Sequence, residues 1–487
     1  MRLYDSLSQE KKDFVPRDGD HVTMYFCGPT VYNYIHVGNA RPYVVSLVAK
    51  RYFQSLGYRV TLVENITDID DRIIQKGNAE GRTAREVAED FARAYREDTD
   101  RLGLGRPDVE PLATEHIQEI IDLIAGLVEK GHAYQSGPDV YFDVDSYPEY
   151  GKLSKQQVAE MRHGARIDLG EDKADPLDFA LWKGAKADEP AWDSPWGPGR
   201  PGWHIECSAM SLKYLGTGFD IHGGGRDLIF PHHENEIAQA EGALDEPFVR
   251  FWMHNGMLNL REEKMSKSLG NILTLRHILD EHRPEALIAA FLGSHYRSPL
   301  EFSSELLDES EQQVDRLRNV FRGLADRAAA GAAATAAAGA DGTAGADDAA
   351  PAAASGGHGE ALLERLTARR QVFADALADD LNTAAALAEV FGLARETNAA
   401  LAAGDLPVET AARVRAEMVE MVHVLGLDAL AGSEDAIPAD IAAMAEERRR
   451  CRADRDFARA DALRAAITER GYEVRDAPGG FKIVATR

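Results

Sequence analysis

Apolar positions in this chain change their period early, and that change predicts the first elements. His21-Val-Thr-Met-Tyr-Phe26 carries the β-branched and aromatic residues of a buried strand, and Gly28-Pro29 stops it because proline has no donor for a ladder. From His36 onward, Val37, Val44, Val45, Val48 and Tyr52 keep a helical period, and Tyr58 to Glu64 returns to a buried strand. The opening is therefore a strand, helix, strand unit of a parallel sheet. A strand that turns into a helix presents free N–H groups and a positive dipole end, which suits a phosphate chain. Neither the dinucleotide pattern G-x-G-x-x-G nor the P-loop pattern is present, so the nucleotide would be held some other way.

Farther along, Thr83 to Lys130 reads as helical, while Asp139 to Asp143 and the Gly- and Pro-rich Asp188 to Gly202 read as an irregular insertion between sheet halves. Helices are expected over Arg276 to Ser294 and Ser303 to Arg322. Ala328 to Gly359 is almost entirely Ala, Gly, Asp and Thr, lacks bulk for a core, and is expected to be a flexible insert. Periodic Leu, Val and Phe return from Glu360 to Leu427, and a short strand at Phe481-Lys-Ile-Val484 has a partner at Tyr472 to Val474.

Composition narrows the class. The 487 residues, 44% hydrophobic, suffice for two to four domains with sizeable cores. No apolar run approaches the roughly 20 residues of a membrane span, and the start lacks a signal-peptide core, which places the protein in the cytoplasm. Cys27, Cys207 and Cys451 cannot build a disulfide framework and leave thiols free for a metal. A net charge of −26 argues against indiscriminate polyanion binding, yet leaves room for a local basic face. The strongest such candidate is Ala445 to Arg475, with nine arginines against seven acids, although charge runs of this kind also form solvated helix faces.

Two stretches concentrate chemistry. Thr67, Asp68, Asp70 and Asp71 gather at the carboxyl end of the second strand, where ligands sit in open parallel sheets and where helix caps also occur. His232 and Glu236 stand one helical turn apart, and with Cys27 and Cys207 they form a soft donor set suited to Zn²⁺. Spacing alone leaves His204, His233 and Glu234 as equal choices, and the cysteines could equally be small core residues.

His36-Val-Gly-Asn39 and Lys264-Met-Ser-Lys-Ser268 together resemble the two signatures of class I aminoacyl-tRNA synthetases. Cys27-Gly-Pro-Thr-Val-Tyr32, His36 to Arg41, Gly202-Trp-His-Ile-Glu-Cys-Ser208 and Phe230-Pro-His-His-Glu-Asn-Glu236 are similar to the cysteine-specific branch, the cysteinyl-tRNA synthetase family. The resemblance implies a Rossmann-type α/β catalytic domain over 1–270 with an insertion at about 100–200, followed by α-helical domains: a connecting domain at 271–327, a helical-bundle anticodon domain at 360–430 and a tRNA-binding subdomain at 431–487. It implies one zinc on Cys27, Cys207, His232 and Glu236, joined by the substrate's thiolate, so that sulfur is selected over the serine hydroxyl. It implies that ATP, brought with Mg²⁺, activates L-cysteine, which is then passed to tRNA-Cys. His36 and Asn39 would stabilise the reacting phosphate, Gly38 admit adenine, Thr30 touch phosphate, and Lys264 and Lys267 meet the β- and γ-phosphates. Gly28, Thr67 and Trp203 would hold the amino acid. Asn39 replaces the histidine of many class I enzymes. A monomer is expected. The rival is a cysteine ligase of mycothiol synthesis, joining cysteine to an amino-sugar inositol, which shares the catalytic half but lacks the carboxyl-terminal extension.

Overall fold

The computed structural model describes residues 1–158, 173–187, 189–260, 273–340, 357–404, 406–432, 439–453, 456–477 and 480–485. A hairpin of β1 (Arg2–Asp5) and β2 (Glu10–Asp13) precedes β3 (His21–Phe26), α1 (Val37–Ser55) and β4 (Arg59–Glu64). β3 and β4 pair in parallel, with α1 as their crossover. After α2 (Asp71–Glu80), α3 (Ala84–Asp100) and α4 (Ile117–Glu129), the chain leaves the sheet, and it returns through α5 (Trp203–Leu215), β9 (Phe219–Gly225), α6 (Glu234–Leu244) and β10 (Val249–Asn255). The result is a four-stranded parallel sheet in the order β10-β9-β3-β4. Its connections run outward in opposite directions from the β3/β9 pair, and such a switch point opens a crevice beyond the carboxyl ends of the strands.

The described residues of the excursion between the sheet halves include regular strands where an irregular insertion was expected, while 189–198 carry no helix or strand. β5 (Ala133–Ser136), β6 (Asp139–Phe142), β7 (Phe179–Gly184) and β8 (Gly199–Pro201) form an antiparallel sheet. These strands are too short to show a period, and their stability comes from stacked aromatic rings, Phe142 on Phe179 at 4.9 Å, and from fully buried Trp182. The continuous helical reading of Thr83 to Lys130 is likewise broken between Asp100 and Ile117.

Beyond β11 (Leu258–Leu260), the helix expected over Arg276 to Ser294 is two, α7 (Leu275–Glu281) and α8 (Pro284–Leu292), because Pro284 can start a helix but not continue one. β12 (Leu300–Phe302) pairs with β11. α9 (Ser304–Ala340) runs well into the segment expected to be a flexible insert, since alanine is the strongest helix former. α10 (Gly357–Ala378), α11 (Thr383–Ala403) and α12 (Val408–Val424) follow. One continuous core runs from Leu3 through the parallel sheet and these helices to Ala431. α13 (Ala439–Ala453), α14 (Phe457–Glu469) and the hairpin β13 (Tyr472–Ala477) and β14 (Gly480–Ala485) enclose a separate small core of Ile441, Ala445, Ile467, Val474 and Ile483. Arg449, Arg459 and Arg470 there are paired with Glu446, Glu447 and Asp440. No described helix is long and apolar enough to cross a membrane.

Candidate metal and nucleotide site

The loops after β3 and β4 continue the parallel pairing past the strand ends. Val31 N–H donates to Thr67 O at 3.1 Å and Thr67 N–H to Pro29 O at 3.1 Å, which sets Gly28, Thr30 and Thr67 side by side. Asn65, not singled out from the sequence, knits this edge together. Its Oδ1 accepts from Gly28 N–H at 3.1 Å and lies 3.6 Å from Cys207 Sγ, and its Nδ2 donates to Thr67 Oγ1 at 3.2 Å. Position 28 must be glycine here because a Cβ would stand 1.8 Å from Asn65 O. Among the four polar residues that follow, Asp70 caps α2 by accepting from Arg72 N–H, Asp68 accepts from Thr114, and Asp71 pairs with Lys183 and Arg200. The helix cap, expected at Thr67 or Asp68, falls instead on Asp70, and of these four residues Thr67 faces the edge loop after β3.

Cys27 leaves the end of β3, its N–H donating to Gly223 O on β9 at 3.1 Å. Cys207 lies on α5, and His232 and Glu236 lie at and just beyond the irregular turn that leads into α6. Three separate segments thus bring two thiols, an imidazole and a carboxylate to one point, their donor atoms all within 4.8 Å of one another. Cys27 Sγ is 3.5 Å from both His232 Nε2 and Glu236 Oε1, and His232 Nε2 is 3.0 Å from Glu236 Oε1. Bonds of about 2.3 Å to sulfur and 2.1 Å to nitrogen or oxygen at tetrahedral angles put such donors roughly 3.5 Å apart, so the set fits a zinc ion with small adjustments.

The charges support the fit. Burial lifts the Cys27 thiol well above its ordinary value, and the hydrogen bond from Cys27 draws Cys207 down to about 6 against its own burial. Burial opposes a charged His232, yet the Glu236 and Cys207 charges carry it to about 10, while burial opposes a charged Glu236, yet His222 and His232 hold it at about 2. A thiolate, an imidazolium and a carboxylate in a buried pocket satisfy one another with protons that a divalent cation would displace.

Further histidines surround the donors. His222 Nε2 bonds Glu236 Oε2 at 2.8 Å, His204 Nδ1 meets His232 Nδ1 at 2.9 Å, and His233 Nδ1 meets His254 Nε2 at 2.8 Å. Such contacts orient a metal's ligands. Cys27, Glu236, His222 and His233 form a second, overlapping donor group. Glu234 is excluded as a ligand because its carboxylate accepts the backbone N–H groups of Gly151, Leu153 and Ser154. His222 was recognisable only as one histidine in a His-rich stretch, and His254 carried no sequence signal.

His36 caps α1, its Nδ1 accepting from Gly38 N–H at 3.0 Å, and His36 and Asn39 are exposed at the helix start. A Cβ at position 38 would meet the His36 ring at 2.7 Å, so glycine there admits the cap's own imidazole. Val37 N–H donates to Leu273 O and Leu275 N–H to Ile35 O, each at 2.9 Å, which binds this start to the residues after position 272. Lys264 and Lys267 lie outside the described residues. Trp203 opens α5, is 38% exposed, and sets its ring 4.4 Å from that of His232. Beside it, a cavity of about 640 Å³ is lined by Arg72, Lys183, Arg200, Trp203 and Glu206.

Residues 13–312 match the family model "tRNA synthetases class I (C) catalytic domain", and residues 372–430 match the DALR domain. Cysteine–tRNA ligases of Caldicellulosiruptor saccharolyticus and Desulfitobacterium hafniense are 45% and 47% identical to the chain, each alignment covering 99% of both proteins. The chain belongs to the cysteine–tRNA ligase family. Membership makes it a ligase, and a match that includes the DALR region disfavours the amino-sugar ligase alternative. The class I fold is shared at much lower identity by Mycobacterium tuberculosis methionyl-tRNA synthetase, 16% identical with a TM-score of 0.58 over 84% of this chain and 90% of that one. An Agrobacterium radiobacter leucine enzyme, solved in a ternary complex with tRNA, is 10% identical with a TM-score of 0.59 over 87% of each chain.

Proposed function

We propose that this member of the family charges tRNA-Cys with L-cysteine in two steps. The carboxylate of cysteine attacks the α-phosphorus of ATP and the bond to the β-phosphate breaks, releasing pyrophosphate. A hydroxyl of the terminal adenosine of tRNA then attacks the acyl carbon, and AMP leaves. These steps need positioning and charge stabilisation more than acid–base chemistry. His36 and Asn39 stabilise the α-phosphate at the start of α1, where unpaired N–H groups and the helix dipole favour anions. Gly38 admits adenine beside the His36 ring, Thr30 contacts phosphate, and Lys264 and Lys267 neutralise the β- and γ-phosphates of the Mg²⁺ nucleotide. Gly28, Thr67 and Trp203 hold the amino acid, and the cavity beside Trp203, lined by both cations and carboxylates, receives the acceptor end.

The observation that carries the reading is the convergence of Cys27, Cys207, His232 and Glu236 at the β3/β9 switch point. Zinc held there would bind the substrate's sulfur strongly and a serine hydroxyl weakly, supplying selectivity without an editing site. We assign 1–270 to catalysis, with its insertion at about 100–200, and 271–327 to the connection. Residues 360–430 and 431–487 take the anticodon arm, and the enzyme works as a cytoplasmic monomer. The test is cysteine-dependent ATP–pyrophosphate exchange followed by addition of tRNA or of an amino-sugar inositol. Exchange with acylation of tRNA alone is the expected result, and acylation of the amino sugar would refute it.

A further inference from the structure

Asp380 stands in the turn between α10 and α11, fully buried, with φ +64, and Leu381 follows at φ +49. Two successive non-glycine residues in the left-handed region persist only where their surroundings over-determine them. Here they do. Asp380 Oδ1 accepts from Tyr4 N–H at 2.8 Å and Tyr296 Oη at 2.9 Å, and Oδ2 accepts from Arg297 Nε at 2.7 Å and Nη2 at 2.6 Å. The Asp380 N–H in turn donates to Arg2 O at 2.9 Å.

Tyr296 and Arg297 belong to the loop His295 to Ser298, which turns its carbonyls toward helix α1. Arg41, on α1 just past Asn39, is 1% exposed. Its Nη2 donates to His295 O at 3.1 Å, and its Nη1 to Ser298 O at 2.9 Å and Gly256 O at 2.8 Å. Arg41 meets three carbonyls and, among the described residues, no carboxylate, and a buried guanidinium so placed depends on those carbonyls being held in place. The loop that holds two of the three is itself fixed by Asp380.

We propose that Asp380 is a positioning residue for the reaction: it sets the 295–298 loop, the loop seats Arg41, and Arg41 sets the turn of α1 that carries His36 and Asn39. A carboxylate from the helical region thereby tunes the phosphate-binding end of the catalytic sheet. The proposal rests on the synthetase reading above.

The test uses full-length, zinc-loaded protein, with active sites counted by the adenylate burst. Asp380→Asn should lower kcat for ATP–pyrophosphate exchange by about tenfold, as small displacements of reacting groups do, with KM for cysteine and zinc content unchanged. Tyr296→Phe, a milder change that decides the matter should Asp380→Asn fail to accumulate, should lower kcat by about threefold. Combining Asp380→Asn with Arg41→Lys should cost no more than the worse single change, because both act on one path. Normal kcat per active site in the folded variants, with only a lower melting temperature, would overturn the proposal, as would additive effects. Wild-type protein without any exchange would instead refute the functional reading, a result separable from these.

Discussion

Replacing Glu64 with glutamine is expected to stabilise the protein at alkaline pH and to leave it unchanged in mild acid. Glu64 ends β4, is 4% exposed, and accepts a very short hydrogen bond from Tyr95 Oη. Burial drives its pKa from an ordinary 4.5 to about 8, with the Tyr95 hydrogen bond opposing and the Glu110 charge adding to the rise. Below pH 4.5 the folded and unfolded chains both hold this proton. Between 4.5 and 8 the unfolded chain releases it while the folded chain keeps it, so stability falls as pH rises and levels off above 8. At about 1.4 kcal/mol per unit, the full difference is at most roughly 5 kcal/mol, and relaxation around the ionised group leaves about 2–3 kcal/mol. Glutamine keeps an acceptor for Tyr95, removes the titration, and faces its amide nitrogen toward buried Ser46. Urea unfolding of both proteins at pH 5 and pH 9 measures the gap. A wild-type to Glu64→Gln difference that stays constant across that range would refute the assignment of a buried, proton-holding carboxylate.

Cys207→Ser and His232→Ala should each lose stoichiometric zinc, and full zinc in both by metal analysis would contradict the donor set. Folded enzyme stripped of zinc should prefer cysteine over serine far less in pyrophosphate exchange than the loaded enzyme, since an oxygen donor replaces thiolate poorly on this ion. Replacing residues 341–356 with a short Gly/Ser bridge should leave exchange within about twofold of the parent, because changing the length of chain between two fixed ends costs little. Truncation after Gly432 removes only the unit with its own core, so exchange should persist while KM for tRNA in the charging assay rises; unchanged charging would show that the unit does not touch tRNA.

The strand-to-helix turn proposed to hold the nucleotide was readable because its determinants are local. A strand, a proline stop and a capping histidine announce themselves within a few residues, and α1 begins where the period changes at His36. The clustered donor residues were readable as types, but spacing could not choose among His204, His232 and His233, because the grouping is made by an irregular turn at Phe230 and by contacts across the sheet. The insertion sheet escaped for a different reason. Strands as short as Gly199–Pro201 have no period, and their partners lie far off in sequence. The link between Asp380 and Arg41 was invisible for the same cause: nothing near either residue in the chain shows that a distant loop joins them.

The continuous interior from Leu3 to Ala431 bears on how such enzymes exchange parts. Arg51 of α1 donates to His423 O at 2.9 Å and pairs with Asp428, so the catalytic helix and the last helix of the bundle were shaped against each other. A chimera joined near residue 372, where the DALR match begins, would set two unrelated half-interiors face to face. The seam at which a foreign cassette can be grafted lies instead after residue 432, where the small carboxyl-terminal core is self-contained. An engineered exchange should therefore tolerate a foreign terminal unit while the catalytic sheet and helical bundle must be carried over as one block.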